Sequence, residues 1–192
     1  MTGKCFSGVN RGQRKKSDFY QTPYSMTEQL LDREDFKGKL LEPSCGDGAI
    51  VSILEKHGFE VDSFDIKNGL DFLNYKGKVN SVITNPPFSL AKEFILKAKE
   101  VATDKIALLL PLSYLHGKER HDLIYSDRVF PLARVYVFTR YPMLSDERLR
   151  EDGKYKTGMM VYAWFVWDRN HISSPNIEWI DNQSYIISSR DK

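Results

Sequence analysis

Short apolar runs alternate with amphipathic stretches from residue 38 onward. The runs over residues 39–41, 61–65, 79–84 and 106–110 predict strands, and the stretches after Gly46, after Ser89 and over 118–125 predict helices. Strand and helix in repeated alternation is the pattern of βα units on a parallel sheet, so the expected class is α/β: a Rossmann-like, mostly parallel central sheet flanked by helices. Two later β-rich runs, 133–139 and 159–167, lie too far apart for a tight hairpin and have no clear apolar helical stretch between them. They are expected to pair antiparallel at the C-terminal end of the sheet. Between them, residues 140–157 are polar, with Pro142, Gly153 and many charges, and read as a long excursion. Long loops of that kind are either functional or disordered. Neither an internal repeat nor a heptad array nor a low-complexity tract interrupts the pattern.

A length of 192 residues with 41% hydrophobic content is enough for a sizeable core and near the size of one compact domain. The expected organisation is a basic leader over 1–17 and a single domain over 18–192. No window approaches the roughly 18 uninterrupted apolar residues of a membrane span, and the opening residues lack a secretory apolar stretch, so a cytoplasmic location is expected. Cys5 and Cys45 lie far apart, one in a polar leader and one in a glycine-rich loop, which is no disulfide framework. His57, His116, His121 and His171 show neither the paired spacing nor the cysteine company of a metal site. The net charge of +2 is unevenly spread: Lys4, Arg11, Arg14, Lys15 and Lys16 all precede the first acid, Asp18. An arm of that kind neutralises phosphates and strengthens salt-sensitive binding to nucleic acid; the plainer alternative is a solvated tail.

The candidate chemistry begins at Leu40-Leu41-Glu42-Pro43-Ser44-Cys45-Gly46-Asp47-Gly48, which runs from an apolar strand end through a turn into a helix. Glycines there permit unusual backbone angles and close approach of a ligand, at the strand ends where α/β sheets bind one. The spacing differs from the dinucleotide G-x-G-x-x-G. Glu42 offers an acceptor for a cationic amine and would repel a pyrophosphate, which favours an amino-acid-bearing ligand over an ordinary strand-to-helix turn. Asp65 then ends the next predicted strand, close to the spacing at which a carboxylate grips ribose hydroxyls. Further on, Asp71 can accept from an adenine amine while Phe72 covers the ring; the alternative for Asp71 is a helix N-cap.

Asn85-Pro86-Pro87-Phe88 follows directly on the predicted strand 79–84. Each proline restricts its predecessor to extended geometry and removes a donor, so the Asn85 side chain and the Pro86 carbonyl are held as acceptors in a rigid turn. Acceptors without donors suit an amino group. An aromatic amine is a poor nucleophile because its lone pair is spread into the ring, and two accepted hydrogen bonds favour a more pyramidal nitrogen. Phe88 offers a face for stacking a planar base, worth roughly 1–3 kcal/mol in nucleic-acid complexes.

With these four segments the chain resembles the amino-methyltransferases that act on adenine in DNA, above all small phage and prophage examples. Phe19-Tyr20-Gln21-Thr22-Pro23 looks like the family's leading segment, Glu42 to Gly48 like its cofactor loop, Asp65 and Asp71-Phe72 like its next two motifs, and Asn85 to Phe88 like its catalytic tetrapeptide. The resemblance implies S-adenosylmethionine as cofactor and S-adenosylhomocysteine as product, with no metal. It implies cofactor contacts from Tyr20, Thr22, Pro23, Glu42, Ser44, Gly46, Gly48, Asp65, Ile66, Asp71, Phe72 and Asn85, and a pocket wall from Pro111-Leu112-Ser113. It further implies direct transfer to the 6-amino group of a flipped-out adenine at Asn85, Pro86, Pro87 and Phe88. Many relatives carry a large target-recognition domain, whereas only 25 residues follow Trp167 here. Residues 140–157 are the expected substitute, with Tyr141 as a second face for the base and Lys15 and Lys16 on the DNA backbone. Three rivals stay open: adenine in RNA, a glutamine amide in protein, and a module that only binds cofactor or nucleic acid.

Overall fold

The computed structural model describes residues 21–139 and 160–181. Within them seven strands form one sheet: β1 (Leu40–Glu42), β2 (Val61–Ser63), β3 (Val79–Thr84), β4 (Ala102–Pro111), β5 (Leu132–Phe138), β6 (Tyr162–Asp168) and β7 (Asn176–Ile180). Their order is β2-β1-β3-β4-β6-β5-β7. Every described pairing is parallel except those of β6, which runs antiparallel between β4 and β5. The two late runs therefore pair as expected. They do so with a difference: β6 also joins β4, from Lys105↔Asp168 to Pro111↔Tyr162, so the reversed strand lies inside the sheet.

The central strands are apolar on both sides because both sides are covered, as parallel sheets require. Successive residues go to opposite cores: Val82, Ile106, Leu108 and Phe165 join one, while Ile83, Ala107, Leu109 and Trp164 join the other. Helix α3 (Ala91–Val101) closes the first core with Phe94, Ile95 and Ala98. Helices α1 (Tyr24–Leu31) and α2 (Ala49–Lys56) close the second with Met26, Leu30, Ile50 and Leu54. The fully buried Trp164 donates its indole N–H to the Met26 carbonyl at 2.9 Å, which satisfies the indole and pins α1 to the sheet.

Several boundaries shift for local reasons. The helix expected from Gly46 starts at Ala49, because Gly46 (φ 55°) and Gly48 (φ 82°) hold left-handed angles in which a helix cannot begin. β2 stops at Ser63 because Asp65 caps a 3-10 turn, Ile66–Asn68, through its own side chain. The helix expected over 118–125 is a short α4 (Lys118–Arg120) that widens into a π-helical turn, His121–Tyr125. Helix α1 and strand β7 were not expected. In α1 the polar Ser25, Thr27 and Gln29 are buried beside Met26 and Leu30, which hides the apolar stripe. In β7 only Ile180 is buried, as befits an edge strand.

Candidate active site

The sheet reverses direction of growth at β1: β2 lies on one side of it, β3 and β4 on the other. In open α/β sheets ligands bind in the crevice outside the carboxyl ends of the two strands at such a point. Both informative motifs leave the sheet there. Glu42 is the last residue of β1, and Asn85 is the first after β3.

The turn after β1 is tied down from the neighbouring strand. Asp65 Oδ2 accepts from the Gly46 N–H at 3.1 Å and its Oδ1 from the Lys67 N–H at 2.9 Å, while the Phe64 carbonyl accepts from the Cys45 N–H at 3.1 Å. Asp65 is buried, and Ile66 beside it is 67% exposed, an open apolar surface at the mouth of the crevice. The Cys45 thiol is pushed up by burial and by the nearby acids Glu42 and Asp65, so it stays protonated and unreactive.

Two buried glutamates differ in their partners. Glu34, toward the opposite end of the sheet, accepts from Arg134, from Lys105 Nζ at 2.9 Å and from the Tyr136 hydroxyl at 2.8 Å. Glu42 is 1% exposed and has no cation near it among the described residues. Its Oε1 accepts from the Thr84 hydroxyl at 2.5 Å and from the Ser44 N–H at 3.3 Å, and its Oε2 has no hydrogen-bond partner among the described residues. Burial, with a smaller contribution from Asp65, pushes its carboxyl up to about 8 against the pull of those two bonds. A buried carboxylate without a cation is costly, by several kcal/mol per ion as an order of magnitude, and an orphaned oxygen there suits an ammonium group.

The two motifs share one hydrogen-bonded chain. Ser44 Oγ lies 2.6 Å from the Thr84 hydroxyl and 3.3 Å from the Asn85 main-chain carbonyl, and because the Thr84 proton goes to Glu42 the single Ser44 proton is shared between these two acceptors. Asn85 Nδ2 donates to Thr22 Oγ1 at 3.0 Å, and Thr22 is buried just ahead of α1. The carboxamide is thereby oriented: one of its two N–H groups is directed to Thr22, and its carbonyl oxygen is the acceptor end of the group. Pro86 is buried, Pro87 leads into a 3-10 turn over Phe88–Leu90, and the half-buried Phe88 ring lies 5.7 Å from that of Tyr162, tilted by 36°. Hydrogen bonds thus tie together Thr22 and Asn85, Glu42 with Ser44 and Thr84, Ser44 with Asn85, and Gly46 with Asp65, at the carboxyl ends of β1 and β3, and Pro23, Gly48, Ile66 and Pro86 to Phe88 follow closely on them in the chain. Tyr20, Lys15, Lys16, Tyr141 and the 140–157 segment lie outside the described residues.

At Asp71 the alternative role is seen, and at Phe72 the expectation needs correction. Asp71 caps a 3-10 turn, accepting from the Leu73 N–H at 2.9 Å and from Asn74 Nδ2 at 3.1 Å, which is the N-cap alternative. Phe72 is 2% exposed, with its ring 5.0 Å from that of Phe94 in the core, and has no open face for a purine. Phe72→Ala is therefore expected to cost about 3–5 kcal/mol of folding stability in denaturant titration, as for a buried aromatic. A loss below about 1 kcal/mol, the level of a partly exposed side chain, would return the ring to the ligand side. Two contributors escaped the sequence. Thr84 is a plain strand residue next to Asn85, and Tyr162 reaches Phe88 only because β6 folds back beside β4. No group of three or more His, Cys, Asp or Glu suited to a metal ion occurs among the described residues.

No family model and no curated protein matches the chain. Solved structures do. A protein of Pyrococcus horikoshii assigned as an RNA methyltransferase is similar at 16% identity and a TM-score of 0.54, over 78% of this chain and 86% of its own. The modification subunit assigned to a type I restriction enzyme of Vibrio vulnificus is similar at 12% identity and a TM-score of 0.58, over 88% of this chain and 48% of its own, so this chain spans about half its length. Magnesium protoporphyrin IX methyltransferase of Synechocystis, solved with bound S-adenosylmethionine, is similar at 18% identity and a TM-score of 0.52, over 76% of each chain. The chain has the Rossmann-like fold of these methyltransferases: a mostly parallel seven-stranded sheet with one reversed strand, flanked by helices.

Proposed function

We propose that this chain transfers a methyl group from S-adenosylmethionine to the exocyclic 6-amino group of adenine in a polynucleotide, with DNA as its substrate. The observation that carries the proposal is the meeting of two features where the strand order switches at β1: a buried glutamate with an oxygen that has no partner among the described residues, and an Asn-Pro-Pro-Phe turn whose asparagine is oriented by Thr22. The residues fit the cofactor. Glu42 Oε2 would take its ammonium group, the glycine turn its amino-acid backbone, Asp65 its ribose, and Ile66 one face of its adenine. Bound there, S-adenosylmethionine supplies a sulfonium-bound methyl group of high electrophilicity.

This chain's own residues then act on the nucleophile. The Asn85 carboxamide oxygen and the Pro86 carbonyl accept the two amino protons of the target base and turn the nitrogen lone pair out of the ring plane. Ser44, by donating to the Asn85 carbonyl, holds the backbone of that corner in place. Phe88, backed by Tyr162, stacks the base so that the nitrogen lies in line with the methyl carbon. Transfer of the sulfonium methyl to the nitrogen would release S-adenosylhomocysteine and leave a surplus proton on the nitrogen, which would pass to water. No group on the protein becomes covalently attached, so the catalysis is positional.

The pair of rings also weighs against a glutamine amide, which has a similar nitrogen but no planar ring to stack. Adenine in RNA presents the same edge and remains the second reading. Incubation of the protein with methyl-labelled cofactor and DNA, RNA or protein in parallel tests all of these. Label is expected in DNA, as 6-methylaminopurine after digestion. Label confined to RNA or to protein would replace the substrate, and cofactor binding without transfer to any polymer would reduce the chain to a binding module.

A further inference from the structure

Past the carboxyl end of β4 the chain makes a 3-10 turn, Leu112–Leu115, and enters α4. This strap stands beside the tetrapeptide. Thr84 is level with Leu108 in the β3–β4 ladder, Pro111 lies opposite Tyr162, and Lys92, shortly after Phe88, reaches Glu119 at 2.8 Å. On the strap the Arg120 guanidinium lies over the Tyr114 ring, 4.7 Å from its centroid. It donates twice to the His116 carbonyl, from Nε at 2.7 Å and from Nη2. Gly117 makes that pose possible: its φ is 124°, and a Cβ there would fall 2.9 Å from Arg120 Nη2.

The lysines around it are in direct ion pairs, and Lys92 lowers the Glu119 carboxyl with Arg120 near enough to help, whereas Arg120 itself is in no such pair among the described residues. Lys118 pairs with Asp122 at 2.7 Å and Lys92 with Glu119 at 2.8 Å. Arg120 is held by a ring and a carbonyl and has no carboxylate within ion-pair distance among the described residues. A guanidinium fixed by neutral partners keeps donors and a full charge for an outside anion, and its fork matches phosphate oxygens.

We propose that Arg120, pinned over Tyr114, grips a phosphodiester of the strand that carries the target base. The proposal rests on the polynucleotide reading above. A base lodged against Phe88 leaves its sugar-phosphate backbone outside the crevice, and the strap is part of the rim which that backbone crosses. The molecule contains its own control. At the other end of β4, Arg169 lies 4.5 Å over the Phe130 ring and donates to the Ala102 carbonyl at 3.2 Å, the same arrangement remote from the crevice.

The test uses the full chain and compares wild type, Arg120→Met and Arg169→Met for binding and methylation of an adenine-containing DNA duplex, its single strand, and an RNA of the same sequence, across a salt series. Each phosphate contact contributes roughly 0.7–0.9 to the slope of log affinity against log salt. Arg120→Met is expected to lower that slope by about one contact and to raise KM for the polymer more than it lowers turnover, while Arg169→Met keeps the wild-type slope. The polymer whose slope changes identifies the strand that is gripped. If wild type binds and methylates a polymer and Arg120→Met keeps its slope, the phosphate contact is refuted and the polynucleotide reading stands. If wild type neither binds nor methylates DNA or RNA even at low salt, both fall together.

Discussion

Asn85→Ala is expected to lower methyl transfer by on the order of 10³-fold, the scale of losing one preorganised polar contact made at the transition state, while cofactor affinity stays within a few-fold. The reason is the division of labour in the crevice. In the proposed mechanism Glu42 and the glycine turn hold the cofactor, whereas the Asn85 carboxamide acts on the base amine. Thr22→Val extends the test, because it removes the oxygen to which Asn85 Nδ2 donates at 3.0 Å and so weakens the orientation of the amide. Its expected signature is a fall in turnover of roughly tenfold, one hydrogen bond's worth, with little change in KM for cofactor. Single-turnover transfer and calorimetric cofactor binding separate the two effects. Parallel losses of binding and transfer in Asn85→Ala would assign the side chain to the cofactor and remove it from the nucleophile.

The central strands were legible because burial on both faces leaves a continuous apolar run in Ile106 to Leu110 within β4 and a β-branched, largely buried stretch in Val79–Thr84. What escaped the pattern obeys other rules. α1 packs polar side chains inward, and Gln29 is fully buried with neither amide atom partnered by a described residue. Nothing in residue type announces that. β7 survives on its ladder with β5 while its side chains remain exposed, so periodicity carries almost no signal. At the site, Glu42 and Asn85 were readable because a residue at a strand end in an α/β sheet has one place to go. Phe72 was misassigned because an aromatic after an acid fits a ligand cover and a core plug equally well; the decision lay with Phe94 on a helix whose facing cannot be read locally. Tyr162 meets Phe88 only after β6 has been placed antiparallel beside β4, a tertiary fact with no local trace.

Glu42→Gln is expected to weaken cofactor binding by on the order of 10²-fold, the loss of a charge-assisted bond to an ammonium, and at the same time to stabilise the unliganded protein at alkaline pH. The second effect follows from the sign of the shift. Burial raises this carboxyl from 4.5 to about 8, so the folded state holds its proton more tightly than the unfolded chain does. Its contribution to stability is therefore fully present below 4.5 and is lost as pH rises through about 8. At ~1.4 kcal/mol per pH unit the loss is on the order of 3–5 kcal/mol, and the glutamine variant does not incur it. Cofactor binding runs in the opposite direction. An ammonium on Oε2 favours the carboxylate, so binding below about pH 8 expels about one proton, and affinity climbs toward that pH before the cofactor's own amino group, titrating at roughly 7.7–8.0, reverses the trend. Calorimetry in buffers of different ionisation enthalpy reads the proton directly, and denaturant titrations from pH 5 to pH 9 read the stability slope. A wild-type stability that is flat with pH, together with cofactor binding that moves no proton, would mean that Glu42 is already ionised and that its partner is something other than the incoming ammonium.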